Sequence, residues 1–135
     1  MKIGVTGTRE GATIEQIDQV TEFLQRHQAE GNELHHGDCT GVDVEVAAIA
    51  QELGYRIVCH PPINAETRGF FGGDETRVPA GYLERDRAIV DATEVLMVVP
   101  LQTAWQPKGG TWYTHDYAQK KKKPVKVFYP KGEEE

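Results

Sequence analysis

Two cysteines, Cys39 and Cys59, are too few for the disulfide framework of a small secreted domain. A chain of 135 residues can be held by one apolar core, so reduced thiols are expected. Long hydrophobic runs are missing as well. The longest, Val95 to Val99, is strand-sized and far short of the roughly 18 residues a membrane helix requires. The opening Met1-Lys2-Ile3-Gly4-Val5 meets glycine and charge at once, without the apolar stretch of a signal peptide. A cytoplasmic protein with no membrane association is the expectation. Neither Gly-x-Gly-x-x-Gly nor a Walker loop occurs, so neither NAD nor P-loop chemistry is supported and no cofactor is expected. Excess positive charge is lacking too: fifteen basic against twenty-one acidic residues leave a formal charge of −6. That balance argues against a nucleic-acid partner. Lys120 to Lys123 form the one basic run, without interleaved aromatics, and read as solvated lysines at a helix C-terminus.

What is present is a regular alternation. Lys2 to Thr6 reads as a buried strand. Ile14, Ile17, Val20 and Leu24 recur at helical spacing behind a capping box at Thr13 and Gln16. Leu34 to His36 leads into a second helix that turns Val42, Val46, Ile49, Ala50 and Leu53 inward and stops at Gly54. Arg56 to His60 is a strand halted by Pro61-Pro62. A helix over Tyr82 to Ala92, a strand over Val95 to Val99, a helix over Thr111 to Lys122 and a strand over Val125 to Tyr129 complete the series. Such alternation predicts an α/β fold: one Rossmann-like three-layer domain over residues 1–130, with a mostly parallel sheet of about five strands and helices on both faces. Residues 131–135 read as a frayed acidic tail. Two connections, Pro61 to Gly81 and Pro100 to Gly110, are too long for plain turns. Both leave the carboxyl ends of strands, where open α/β sheets bind ligands.

Three glycine-containing turns follow three of the strands. Gly7-Thr8-Arg9 combines a permissive backbone with a hydroxyl and a charge. In Gly37-Asp38-Cys39-Thr40-Gly41-Val42-Asp43, Thr40 can cap the helix and the following amides can face an anion. Asp38 and Asp43 either complement the helix dipole or accept hydrogen bonds from ribose hydroxyls. Gly109-Gly110-Thr111 places two glycines and a hydroxyl at a helix start, as a phosphate cradle requires. In the 61–81 connection, Arg68, Phe70, Phe71 and Arg77 could clamp a nucleotide, or the two phenylalanines could anchor the loop to the core. Trp105 and Trp112 read as packing or subunit-contact residues. His35, His36, Asp38, Cys39, Cys59 and His60 lack zinc-ligand spacing, so no metal site is expected.

In order and spacing these elements resemble the SLOG superfamily, which includes the DNA-processing protein DprA and the cytokinin-activating LOG enzymes. Gly7-Thr8-Arg9 matches the family's opening element, and Gly37, Gly41 and Asp43 match its Gly-x-x-x-Gly-x-Asp. Glu84, Arg85, Ile89, Glu94 and Pro100 follow the LOG pattern without a gap, and Gly109-Gly110-Thr111 falls on the Gly-Gly-Thr helix start, with Thr114 and Ala118 beyond it. The resemblance implies a nucleotide-type ligand and a homo-oligomer. One departure matters for chemistry. LOG phosphoribohydrolases carry a catalytic glutamate where this chain has Thr114. A hydrolase needs a carboxylate to activate water or steady an oxocarbenium ion. The expectation is therefore a protein that binds a nucleotide or nucleotide-derived molecule for sensing or sequestration, through Gly7, Thr8, Arg9, Gly37, Asp38, Thr40, Gly41, Asp43, Arg85, Gly109, Gly110 and Thr111. The alternatives are an N-glycosidic hydrolase using Arg85 with Glu84, Asp43 or Asp116, and a DprA-like module for single-stranded DNA.

Overall fold

A computed structural model describes residues 1–133. The elements run β1 (Lys2–Gly7), α1 (Ile14–Arg26), β2 (Glu33–His36), α2 (Val42–Glu52), β3 (Arg56–Cys59), β4 (Glu75–Thr76), α3 (Tyr82–Ala92), β5 (Val95–Val99), α4 (Gly110–Lys120) and β6 (Val125–Val127). The sheet has six strands in the order β4-β3-β2-β1-β5-β6, every pair parallel. It is one strand wider than the sequence predicts. The extra strand, β4, lies inside the 61–81 connection and spans two residues, too short for any hydrophobic period to announce it. Side chains hold it instead. Asp74 Oδ2 accepts the Ile57 amide at 2.8 Å, and Arg56 meets Glu75 at 3.1 Å across the β3–β4 seam.

The two-residue period of the strands sorts the core into two layers. Met97, Val99, Ile3, Val5 and Phe128 face α1 and α2, and pack with Val20, Leu24, Val46 and Ala50. Leu96, Val98, Val127 and Tyr129 face the other way, onto Ile89 and Val90 of α3 and Trp112 and Ala118 of α4. Trp112 therefore belongs to the core, whereas Trp105 is half exposed. The capping box at Thr13 and Gln16 forms, and Gln16 does more: its buried amide donates to Pro100 O and Phe128 O, both at 2.8 Å. One side chain thus ties the first helix to the ends of β5 and β6. Ile14, expected inward, stays exposed at the first position of α1. Of the acidic tail, Gly132 and Glu133 are held to the body, Gly132 O by the Gln19 amide and Glu133 O by the Tyr129 N–H; Glu134 and Glu135 lie outside the described residues. Among the described residues no helix is long and apolar enough to cross a membrane.

Between β2 and β3 runs a buried chain of hydrogen bonds. Glu33 Oε1 meets His35 Nε2 at 2.8 Å, and His35 Nδ1 meets His60 Nε2 at 2.8 Å. Burial depresses the basicity of His35 and His36, and lowers that of His60 to about 3. As pH falls below about 6.5 the unfolded chain takes up these protons first, so stability present at neutral pH is lost on acidification. Each histidine contributes a slope of up to about 1.4 kcal/mol per pH unit. Urea unfolding between pH 7.5 and 4.5 is expected to show this decline, and His60→Asn to make it shallower.

Candidate functional site

The order of strands reverses at β1: β2, β3 and β4 lie on one side, β5 and β6 on the other. Connections leaving β1 and β5 in opposite directions part there, and a hollow opens beyond the carboxyl ends. It measures about 570 Å³ and takes its walls from the Thr6–Glu10 turn, from Tyr82, Arg85 and Asp86 of α3, and from Lys108 to Trp112 at the start of α4. Of the expected site residues, the structure brings Gly7, Thr8, Arg9, Asp43, Arg85, Gly109, Gly110 and Thr111 onto this one hollow. It leaves Gly37, Asp38, Thr40 and Gly41 off it.

Arg85 is the buried centre of the site. Its Nε donates to Asp86 Oδ1 at 2.8 Å, one terminal nitrogen donates to Gly37 O and, at 3.4 Å, to His60 O, and the other lies 3.6 Å from Cys39 Sγ. The guanidinium also stands 5.8 Å from the Tyr82 ring centre, with that of Arg9 at 5.3 Å. Gly37 has its explanation here. A Cβ on it would sit 2.6 Å from the Arg85 guanidinium, so the glycine clears space for the arginine and not for a phosphate. Gly41 is likewise a packing residue: its φ is +86°, and a Cβ would fall 2.5 Å from the Arg9 backbone. Gly41 is also the N-cap of α2, without any side-chain cap, so Thr40 does not cap the helix; the Thr40 amide donates to Thr67 O in the long connection. The third turn differs. Gly109, at φ +100°, has no atom within 4 Å of a Cβ position, and Gly110 has only Asp86 Oδ2 at 3.8 Å. These two glycines open onto empty space at a helix start.

Asp38 is drawn away from the hollow by the long connection. Fully buried, it takes Arg68 on Oδ2 at 2.8 Å and the amides of Phe71 and Gly72 on Oδ1 at 2.8 and 3.1 Å. It serves as the anchor of the 61–81 segment. Phe71 packs against the core, while Phe70 stays exposed with Arg68 over its ring. His36, Asp38 and Cys59 approach one another within 4.8 Å, a grouping that spacing along the chain did not announce. Two of the three are already engaged: Asp38 through Arg68 and the two amides, and His36 through Nδ1, which accepts from the Asp38 amide, and Nε2, which donates to Gly72 O.

Three carboxylates line the hollow: Glu10, Asp43 and Asp86. Burial pushes the Asp43 carboxyl up to about 6, against the pull of Arg85 and the Cys39 amide. Asp86 is also raised by burial, with Arg85 opposing. Glu84 is exposed outside the hollow, and Asp116 sits beside it in a neighbouring groove. Tyr82, Asp86 and Lys108 are functional candidates the sequence did not yield. Asp86 adjoins Arg85 and Lys108 precedes the glycine pair, but neither carries a recognisable pattern of its own.

Solved structures share this fold. The chain is similar to the molybdenum cofactor binding protein from the phototrophic bacterium Rippkaea orientalis, with a TM-score of 0.74 and 22% identity over 95% of this chain and 76% of that one. It is similar to the molybdenum cofactor carrier protein of Chlamydomonas reinhardtii, with a TM-score of 0.69 and 24% identity over 93% and 74%. It is also similar to DNA processing protein A from Streptococcus pneumoniae, with a TM-score of 0.70 and 16% identity over 93% of this chain and 49% of that one. No family model matches the chain, and no curated protein matches it in sequence. The shared fold is consistent with the SLOG resemblance of the sequence.

Two measurements check the site. Asp38→Ala leaves Arg68 and two amides without their acceptor and should cost about 3–5 kcal/mol in urea unfolding, with faster proteolysis inside 61–81. The Asp43 carboxyl carbon should titrate near pH 6 by NMR, and Arg85→Gln should move that midpoint higher. Since the folded value is raised, Asp43 adds stability at low pH and loses it as pH rises through about 6.

Proposed function

We propose that this protein binds a nucleotide or nucleotide-derived small molecule in the hollow at the strand ends, as a sensing or sequestering protein. The observation that carries the reading is the Gly109-Gly110 pair. Among the turns expected to meet a ligand, it is the one whose glycines face free space at a helix N-terminus, with Lys108 beside it. Backbone N–H groups and the helix dipole there suit an anionic group such as one phosphate. The charge of the lining bounds how much anion is welcome. Arg9, Arg85 and Lys108 face Glu10, Asp43 and Asp86, and Arg85 is neutralised by its bond to Asp86. Two remaining exposed cations suit a single phosphate better than a long polyphosphate. Asp43 and Glu10 supply acceptors for sugar hydroxyls, and the Tyr82 ring gives a flat wall. Similarity of fold to proteins that carry a molybdenum cofactor agrees with a small-molecule role.

One observation favours hydrolysis as a second reading. The Asp43 carboxyl, pushed up to about 6 by burial, lies close enough to neutrality to exchange a proton inside the hollow, as a general acid or base must. Chromatography for free base after incubation with each bound nucleotide separates the two readings.

A thermal-shift screen of nucleoside monophosphates, ADP-ribose and cyclic nucleotides tests the proposal. A ligand at a hundred times its Kd adds about 2.7 kcal/mol of stability. Gly110→Asp is expected to remove that stabilisation. The introduced carboxylate suits a helix start, so the fold is kept, but it occupies the anion position. A folded protein that no nucleotide stabilises would overturn the reading.

A further inference from the structure

The hollow continues past α4. A second groove of about 420 Å³ shares Leu83, Lys108, Gly109 and Gly110 with the first, then extends over Gln106, Pro107, Tyr113 and Asp116. The open backbone of the glycine pair forms the saddle between the two. Each compartment is large enough for a ring system, since small-molecule sites run from about 300 to 1,000 Å³.

The second groove has its own polar equipment. Asp116 is held in place from two sides: Trp105 Nε1 donates to its Oδ1 at 2.9 Å, and His115 Nδ1 lies 2.8 Å from the same oxygen. Both bonds fall on Oδ1, which leaves Oδ2 to accept from a ligand. Tyr113 Oη accepts from Arg87 at 2.8 Å and keeps its own proton to donate. Leu83 and Pro107 supply apolar walls, and Leu83 is half exposed, as is Trp105 beyond the groove. A fixed carboxylate beside a hydroxyl donor and apolar walls fits a ring that carries hydrogen-bond donors, such as a ribose or an amino-substituted base. An exposed cation at the saddle, Lys108, fits an anionic link between two such groups.

From this continuity we infer that the natural ligand has two parts, one per compartment, joined through a phosphate or pyrophosphate at Lys108: a dinucleotide-type small molecule. The inference rests on the proposed nucleotide-binding reading and extends it to the class of ligand. Linking two groups that already fit their compartments makes the second contact intramolecular, so affinity rises steeply without further contacts.

Calorimetry with AMP, ADP-ribose, the dinucleotide pApA and a series of oligo-dT lengths tests it. The expected result is that ADP-ribose or pApA binds at least about tenfold tighter than AMP. Asp116→Asn and Tyr113→Phe should each erase most of that advantage while AMP affinity stays the same. Tyr113→Phe retains the ring, so it reports on the groove even where Asp116→Asn disturbs the Trp105 loop. Equal affinity for AMP and both two-part probes overturns this inference and leaves the nucleotide-binding reading standing. Affinity that keeps climbing with oligo-dT length overturns it in favour of a nucleic-acid track. Binding of none of the probes by a folded protein overturns the reading beneath it as well.

Discussion

One buried guanidinium organises the carboxyl-end face of this molecule's sheet. Arg85 arrives on α3, from one face of the sheet, and its bonds end on the backbone beyond β2 and β3, at Gly37 and His60. A cation placed there must be compensated, because moving an unpaired charge out of water costs several kcal/mol. The compensation is what the site is made of. Asp86 takes the Nε hydrogen, Asp43 adds a carboxylate nearby, and the Cys39 thiol closes the remaining side. Gly37 lacks a side chain because the guanidinium occupies its place.

A second anchor secures the flank. Apolar burial alone holds the 61–81 connection weakly beyond its opening Pro61-Pro62, since Phe70 faces solvent while Phe71 packs partly buried against the core. Asp38 supplies the fixing point, gathering a guanidinium and two amides on one buried carboxylate. Charge-assisted bonds to a fully buried acceptor are strong enough to order such a segment. With the connection tied down, β4 can pair with the last residues of β3, and Thr67 can reach the Tyr82 hydroxyl at 2.8 Å on the wall of the hollow.

These two anchors leave the α4 start as the open part of the end face. Arg85 and Asp38 are satisfied within the protein, and the Gly7 and Gly41 turns pack against each other and against α2. Unspent hydrogen-bonding capacity is concentrated at Lys108, Gly109, Gly110 and Thr111, between two compartments of comparable size. The near balance of charge in the lining tells against a site built mainly on Coulomb attraction.

The alternation of strands and helices, the capping box at Thr13 and Gln16, and the gathering of glycine turns around a hollow at the strand ends were all legible in the sequence. Each is set by local periodicity, or by a rule that follows from parallel strands. Eight of the twelve expected ligand residues meet on one hollow for the same reason: they lie at strand ends, in the turns after them or in the first turns of helices, all of which parallel topology sends to one edge. The roles of individual residues were not legible. Gly37 and Gly109 look alike along the chain, yet one is pressed against Arg85 and the other opens on empty space. Asp38 and Asp43 look like a matched pair, yet one anchors a loop and the other faces the hollow. Spacing along the chain fixes which backbone turns gather at the strand ends. Which atoms remain free there is decided by partners distant in sequence, forty-eight residues away for Gly37 and thirty or more for Asp38, and only the packed tertiary structure brings those together.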